Sequence, residues 1–248
     1  MMSRNALPIV AAATLSWGVL LVATRLLLVN FSFNAWGFTL IQLLAGGASM
    51  MVLGGRGTVA WRSLASPSIW VYGGLRVISS ACSSAALLYV GVMQDTLLAA
   101  MNVPIAALII ILGSRRLPPA RQALVHGVIV AGIATMALAL PGGLANPAVL
   151  LEAISETAVV VSTLLIERHP HNRSDDIGAR CRFTGAVLMA TAAMFIVVWG
   201  LSGAAGVRLG NNALAFGDLG ALLADPALLV AGALVGACLR GPTMYLAL

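Results

Sequence analysis

The sequence has no lysine and very little charge of either sign. Only 9% of its 248 residues are charged, whereas soluble domains average about 25%. Sixty per cent are hydrophobic, which is more than one water-soluble core can bury. The composition therefore argues against a soluble enzyme and a disordered chain, and it is typical of a protein that lies in a lipid bilayer.

Cysteine is also scarce, with three residues and no C-x-x-C pair. No zinc or redox motif follows, and a disulfide scaffold is not expected. The sequence contains no G-x-x-x-x-G-K-[ST] loop, no H-E-x-x-H motif and no nucleophile elbow. We therefore predict no enzyme, no catalytic residue, no metal and no cofactor.

Eight apolar segments are separated by short polar gaps. Each is long enough to cross about 30 Å of hydrocarbon as a helix, the structure that satisfies the backbone in lipid. The sequence therefore predicts an all-α membrane protein with about eight transmembrane helices. The predicted spans are 7–29, 35–54, 68–92, 96–113, 119–140, 146–166, 180–201 and 226–247.

The basic charge is distributed unevenly among the gaps. Nine arginines lie at the N-terminus or in the gaps after spans two, four and six, and only Arg208 lies in the opposite set. This asymmetry predicts a cytoplasmic N-terminus, because cytoplasmic loops carry the excess of positive charge. It also favours lipid over nucleic acid as the partner of this basic chain. The nine are Arg4, Arg56, Arg62, Arg115, Arg116, Arg121, Arg168, Arg173 and Arg180.

Local signals predict where several helices begin. Asp95 can cap span four, Pro118-Pro119 can open span five, and Asn146-Pro147 can open span six. Residues 202–225 are rich in Gly and Ala and are predicted to form an external loop.

The two parts of the chain show a weak internal repeat. A shift of 139 residues places span one on span six, and a shift of 156 places span three on span eight. The second copy restarts after five crossings, so it would be inverted, as in many transporters. We predict a first repeat at 1–140 and a partial second repeat at 141–248. The first shift matches Pro8, Ser16, Val22, Thr24 and Leu26 to Pro147, Ser155, Val161, Thr163 and Leu165.

Short motifs along the chain fit one known family. They are Ala-Thr-Leu-Ser-Trp-Gly at 13–18, Ala-Leu-Leu-Tyr-Val-Gly at 86–91, Asn-Val-Pro at 102–104, Gly-Val-Ile-Val-Ala-Gly at 127–132 and Arg-Phe at 182–183. With these residues the chain resembles the EamA-type domains of the drug/metabolite transporter superfamily. The resemblance implies ten spans in two five-span repeats, a central substrate path, and export or exchange of small metabolites.

The sequence departs from the family pattern in three places. Ser114 stands where an acidic residue is common, and Gln42 stands near the position that matches Arg182. The given sequence ends at Leu248, in or just after span eight, so spans nine and ten are missing relative to the family. Either a longer chain or a naturally shortened fold would explain this.

Buried charge gives the strongest functional signal, because each charge in a span costs about 2.5–3.5 kcal/mol. Glu152 and Glu156 share one face of span six, at depths of about 10 and 16 Å from the outer surface. Two ionised carboxylates this close repel, so one should hold a proton or meet an arginine. The pair predicts proton coupling or cation binding; a structural ion pair and a face for partner helices are the alternatives.

Arg76 in span three and Arg240 in span eight fall at a similar inner depth, about 11 Å from the inner and 21 Å from the outer surface. They could form an anion-binding pair for a carboxylate or phosphate. The alternatives are neutralisation of the two glutamates and snorkelling to cytoplasmic water. Snorkelling is also our interpretation of Arg25.

Other polar residues give weaker signals. Gln42 and Trp17 are predicted to lie near the path, with a buried packing role as the alternative for Trp17. Asn102 and Pro104 interrupt span four and predict a hinge or a static kink. His126 is interpreted as a satisfied buried histidine rather than a proton relay. The small residues Ser79, Ser80, Ser83, Ser84, Gly232 and Gly236 predict close helix packing.

Together these features predict a multi-pass transporter of the bacterial inner (plasma) membrane. It would move a small-molecule substrate by alternating access, with Glu152 and Glu156 in coupling and with Arg76, Arg240, Gln42 and Trp17 near the path. The alternative is a non-transporting subunit or scaffold of a larger membrane complex. A homodimer and a larger complex both stay open as assemblies.

Overall fold

A computed structural model describes residues 6–58, 64–115, 118–167, 169–204 and 219–247. Within these ranges all regular secondary structure is helical and no strand occurs. The predicted all-α membrane architecture is therefore confirmed.

The helices follow the apolar segments closely, with most ends within about three residues of the predicted ones. Hydropathy locates them because the bilayer fixes their length. They are α1 (Ala6–Phe31), α2 (Ala35–Leu53), α3 (Pro67–Ala86), α4 (Val92–Ala99), α5 (Asn102–Ser114), α6 (Ala120–Ala139), α7 (Pro147–Glu167), α8 (Ile177–Ala204), α9 (Leu219–Ala224), α10 (Pro226–Val235), a π-helical segment (Gly236–Arg240) and α11 (Gly241–Leu246).

Seven helical segments in the described ranges are long and apolar enough to cross a membrane. The α4–α5 pair forms one of them, and α10 with the π segment and α11 forms another. The remaining predicted span, α3, has 20 residues but carries Arg76 at its middle and four serines in its second half. It packs against α7, α2 and α8. This comparatively polar span is therefore an interior helix, and it ends at Ala86 rather than at the predicted residue 92.

Two predicted helix starts are confirmed and one is wrong. Pro119 precedes α6, and the Asn146 side chain accepts a hydrogen bond from the Ala148 N–H at 2.9 Å at the start of α7. At α4, however, the N-cap is Gly91, whose N–H donates to Gln94 Oε1 at 2.8 Å. Asp95 lies one turn inside the helix and is 1% exposed.

Span four is interrupted where the sequence predicts it. The helix stops after Ala99 and restarts at Asn102. Pro104 has no N–H to donate to the Ala100 carbonyl, and Val103 N–H donates there instead, at 3.2 Å. The break is a turn of backbone between α4 and α5.

Helix α2 lies at the centre of the bundle and contacts α8, α3, α10, the π segment and α11. Glycines bring these backbones close together. A β-carbon on Gly236 would lie 2.5 Å from the Gln42 carbonyl oxygen, and one on Gly47 would lie 2.7 Å from the Gly185 carbonyl oxygen. The close packing predicted for Gly232 and Gly236 is therefore present, and it brings the π segment against α2.

The outer helices leave their apolar side chains uncovered. No residue of α5 is buried, and Ala137 is the buried residue of α6. Polar side chains instead concentrate among α1, α2, α3, α7 and the π segment. This distribution, apolar outside and polar inside, suits a bilayer as the surrounding solvent. The predicted external loop falls largely on residues 205–218, outside the described residues.

Candidate functional site

Arg240 is the central residue of a polar network in the bundle. Its side chain is 7% exposed. One terminal nitrogen donates to Gln42 Oε1 at 2.9 Å, and the other donates to Ser80 Oγ. Gln42 in turn donates from Nε2 to Thr24 Oγ1 at 3.1 Å. The network therefore joins α1, α2, α3 and the last span through neutral groups alone.

The sequence after Arg240 explains its local backbone. Pro242 cannot donate to the carbonyl four residues before it, and the Gly241 N–H bonds the Gly236 carbonyl five residues back. Segments of this π type inside α-helices are frequent at functional sites. Here the π segment places the Arg240 side chain beside α2 and α3.

A small cavity of about 70 Å³ adjoins the network. This volume has room for a few water molecules or one small polar group. Five of the six residues predicted to serve substrate or coupling line it, namely Trp17, Gln42, Arg76, Glu156 and Arg240. Hydroxyl groups of α3 and α7 complete the wall, from Ser79, Ser80, Ser83, Ser84 and Ser155.

The sixth predicted residue, Glu152, lies beside the cavity wall rather than in it. It is 0% exposed, and in the described part of the chain neither of its oxygens accepts from a nitrogen donor. Its side chain interacts with Asp95 of α4 and lies near Glu156 and Ser83. Three carboxyl groups from two helices thus share one region of the interior.

Glu156 links this acidic group to the arginines. It lines the cavity and interacts with Arg76 of α3, Asp95 of α4 and Asn102 of α5. The break in span four therefore lies directly beside the acidic group, because Asn102 is the first residue after it. Asp95 is the member of this group that sequence reasoning missed. Its position near a helix start suggested a cap, and only the packing of α4 on α7 turns it inward.

The alternative of an ion pair between the glutamates and the arginines is not seen among the described residues. Among the described residues the one ion pair is Arg182 to Asp176, at 3.5 Å. Arg182 also donates to the Gly54 carbonyl, so it holds the end of α2 against the start of α8. It lies away from the cavity and is not one of its lining residues.

Three further interpretations are corrected by the structure. Trp17 is 43% exposed and lines the cavity, so a buried packing role is wrong. Arg25 does not snorkel freely, because it donates to the Val90 carbonyl and interacts with Asp95. His126 is not a satisfied histidine, since its Nδ1 has no partner within the described ranges.

The serines of α3 have more than a packing role. Ser80 accepts from Arg240, and Ser84 accepts from Thr39 Oγ1 at 2.9 Å. Ser79 faces α7, where its carbonyl oxygen accepts from Ser155 Oγ at 3.1 Å. They supply hydroxyl groups on both sides of the cavity, which pattern alone did not reveal.

Neither a metal centre nor a known relative defines this site. Across the described ranges, no group of three or more His, Cys, Asp or Glu residues is arranged to hold a metal ion. No protein-family model, curated protein or solved structure matches the chain. The seven apolar helices and the buried charged residues define a multi-pass α-helical membrane protein with a charged interior site.

Proposed function

We propose that the protein is a secondary transporter that moves a small metabolite across the bacterial inner membrane by alternating access. The observation that supports this proposal is the charged cluster beside a cavity inside a bundle of apolar helices. Charge in a span is costly, and it commonly marks a substrate or ion pathway. The resemblance to EamA-type domains points in the same direction, toward export or exchange.

Coupling is assigned to the carboxyl groups of Glu152, Glu156 and Asp95. Carboxylates that face one another in a medium of low dielectric repel when all are ionised, so the group binds and releases protons as a unit. Glu156 is the member that lines the cavity. A proton held there changes the charge that a bound substrate meets.

The break at Asn102 supplies a mechanical element beside the same cluster. Between Ala99 and Asn102 the backbone is held by short turn bonds, from Met101 N–H to the Leu98 carbonyl at 2.9 Å and from Val103 N–H to the Ala100 carbonyl at 3.2 Å. Such bonds can re-pair when the two halves of the helix change angle. Because Asn102 interacts with Glu156, a change in the charge on that glutamate acts on the junction. Alternating access would use this junction as its hinge.

The first experiment identifies the substrate. Inside-out membrane vesicles with and without the protein are energised and incubated with a cell extract, and their contents are compared by mass spectrometry. A metabolite that accumulates only with the protein is then labelled and used with proteoliposomes under an imposed pH gradient. Wild-type protein is expected to drive its flux, and the flux is expected to vanish when the gradient is collapsed.

Glu156→Gln is the decisive variant. It keeps the size of the side chain and removes the charge, so gradient-driven flux should fall to the level of empty liposomes. Glu167→Gln is the matched control, because Glu167 is exposed at the end of the same helix; its flux should equal that of the wild type. Unchanged flux in a folded Glu156→Gln protein would remove the coupling role. No accumulated metabolite, together with a partner protein that copurifies, would favour the subunit alternative.

A further inference from the structure

Two arginines in the interior have no counter-ion in contact. In the described part of the chain, no carboxyl oxygen lies within 4 Å of a nitrogen of Arg76 or Arg240. Both arginines line the same cavity. A buried charge is ordinarily paired or bound to a ligand, because removal from water without compensation is costly.

The hydrogen bonds of Arg240 leave its charge uncompensated. Its partners, Gln42 and Ser80, are neutral, and its Nε has no partner in the described structure. Arg76 also has an unpartnered Nε. Two guanidinium groups thus line the cavity, and each has a buried Nε without a partner in the described structure.

Glu156 cannot neutralise both arginines. It is the one carboxylate among the described residues that line the cavity, and it interacts with Arg76. Two arginines against one glutamate leave the described wall of the cavity with an excess of positive groups. The remaining wall is rich in hydroxyl groups that can donate to an oxyanion, from Ser79, Ser80, Ser83 and Ser84.

We propose that this cavity binds an anion through Arg76 and Arg240, and that the anion is the carboxylate or phosphate group of the transported molecule. Guanidinium groups match the geometry of both oxyanions and bind them through two parallel hydrogen bonds. The inference rests on the proposed function only in assigning the bound anion to the substrate. The volume of about 70 Å³ holds the anionic group and little more. Trp17 lines the cavity and is 43% exposed, so it is the residue that the rest of the molecule would contact.

Binding can be measured without transport. Delipidated protein in a neutral detergent is titrated in a calorimeter with inorganic phosphate, with succinate and with short-chain phosphatidylglycerol, and its unfolding temperature is followed in parallel. Saturable binding of phosphate or succinate with a rise in unfolding temperature is expected. Binding of the phospholipid alone would support the anion site and overturn its assignment to the substrate. No saturable binding of any of the three would overturn the proposal.

Variants locate the binding to the cavity. Arg240→Gln should weaken phosphate or succinate binding by about tenfold or more, as expected when charge-assisted hydrogen bonds are lost. Arg76→Gln serves the same purpose if Arg240→Gln does not give a monodisperse protein. Arg121→Gln is the control, since Arg121 is exposed at the start of α6, and its affinity should match the wild type. Equal affinity in all three variants would exclude the cavity as the binding site.

The two proposals fail in different ways. Anion binding is measured at equilibrium with no gradient, so it does not depend on Glu152 and Glu156 as coupling groups. Anion binding without any gradient-driven flux would contradict the proposed transport function and leave the anion-binding site supported. Flux of a neutral or cationic metabolite would support the transport function and overturn the proposal that the substrate is an anion.

Discussion

The carboxyl group of Asp95 is costly to bury. Its side chain is 1% exposed, its Oδ1 has no partner in the described structure, and it faces Glu152 and Arg25. Glu152 beside it accepts from no nitrogen donor in the described structure. Unsatisfied groups of this kind cost about 1–3 kcal/mol each, so this part of the interior is less stable than its packing would allow.

Asp95→Asn should therefore stabilise the folded protein. The amide supplies N–H donors to the carboxyl oxygens of Glu152 and removes one of two like charges. We expect a gain of about 1–3 kcal/mol, measured as a higher unfolding temperature in detergent. Transport should fall in the same variant, because a member of the acidic group is lost.

A matched control is available at another aspartate. Asp225 caps α10 by accepting from the Ala227 and Leu228 N–H groups at 3.0 and 3.2 Å. Asn caps a helix about as well as Asp, so Asp225→Asn should leave the stability unchanged. A lower stability of Asp95→Asn would show instead that the Asp95 charge is a stabilising partner of Arg25.

At the scale of the helices, packing depends on a few glycines. Gly236→Ala would place its β-carbon 2.5 Å from the Gln42 carbonyl oxygen, which is backbone and cannot move alone. The last span would have to shift away from α2 and carry Arg240 with it. We expect a loss of about 1–3 kcal/mol and weaker anion binding, measured by thermal unfolding and calorimetry.

Gly132→Ala is the control for this prediction. A β-carbon on Gly132 in α6 would meet no atom within 4 Å. Alanine is also the better helix former, by about 0.8–1.0 kcal/mol in soluble helices. The control should be neutral or slightly stabilising. If both variants lose stability equally, close contact between the π segment and α2 is not what Gly236 provides.

The helices could be predicted well because their signals are local. Hydropathy predicted the positions of the spans. Asn146 and Pro119 predicted where two helices begin, and Pro104 predicted the break in span four. The end of α3 could not be predicted in this way. Its apolar run continues past Ala86, but the chain turns there, and α4 then packs against α7.

The site could be predicted only in part, because its contacts join distant positions. Buried charge identified Arg240 and Glu156, but 198 residues separate Arg240 from its partner Gln42. Pattern gave Ser80 only a packing role and placed Asp95 at a helix cap. Both become site residues through the contacts of α3 and α4 with other helices, which no local window contains.

For the molecule as a whole, the bilayer explains the distribution of side chains. Large apolar side chains are exposed on α1, α6 and α8, among them Leu15, Leu124 and Leu201. In water such surfaces would associate, whereas lipid covers them at no cost. The charged groups occupy the remaining environment, the interior between helices. The low overall charge therefore indicates a membrane protein, and the few charged residues within the spans indicate its candidate site.

Orientation in the membrane is the prediction that belongs to this scale. The arginine asymmetry predicts that the connection between α7 and α8 lies in the cytoplasm and the one between α6 and α7 outside. Asp175 and Leu144 are exposed in these two connections. The exposed Cys238 is first replaced by Ala, and the buried Cys82 and Cys181 are kept.

A membrane-impermeant maleimide then reports the side of each position. In intact cells Leu144→Cys should be labelled, and Asp175→Cys should be labelled only after the membrane is permeabilised. The parent protein without either substitution should stay unlabelled, which controls for the two buried thiols. Labelling of Asp175→Cys but not of Leu144→Cys in intact cells would show that the topology is the opposite of the predicted one. It would then place Glu152, which lies nearer the outer end of its helix in the predicted orientation, toward the cytoplasm, and would reverse the side from which protons reach the acidic group.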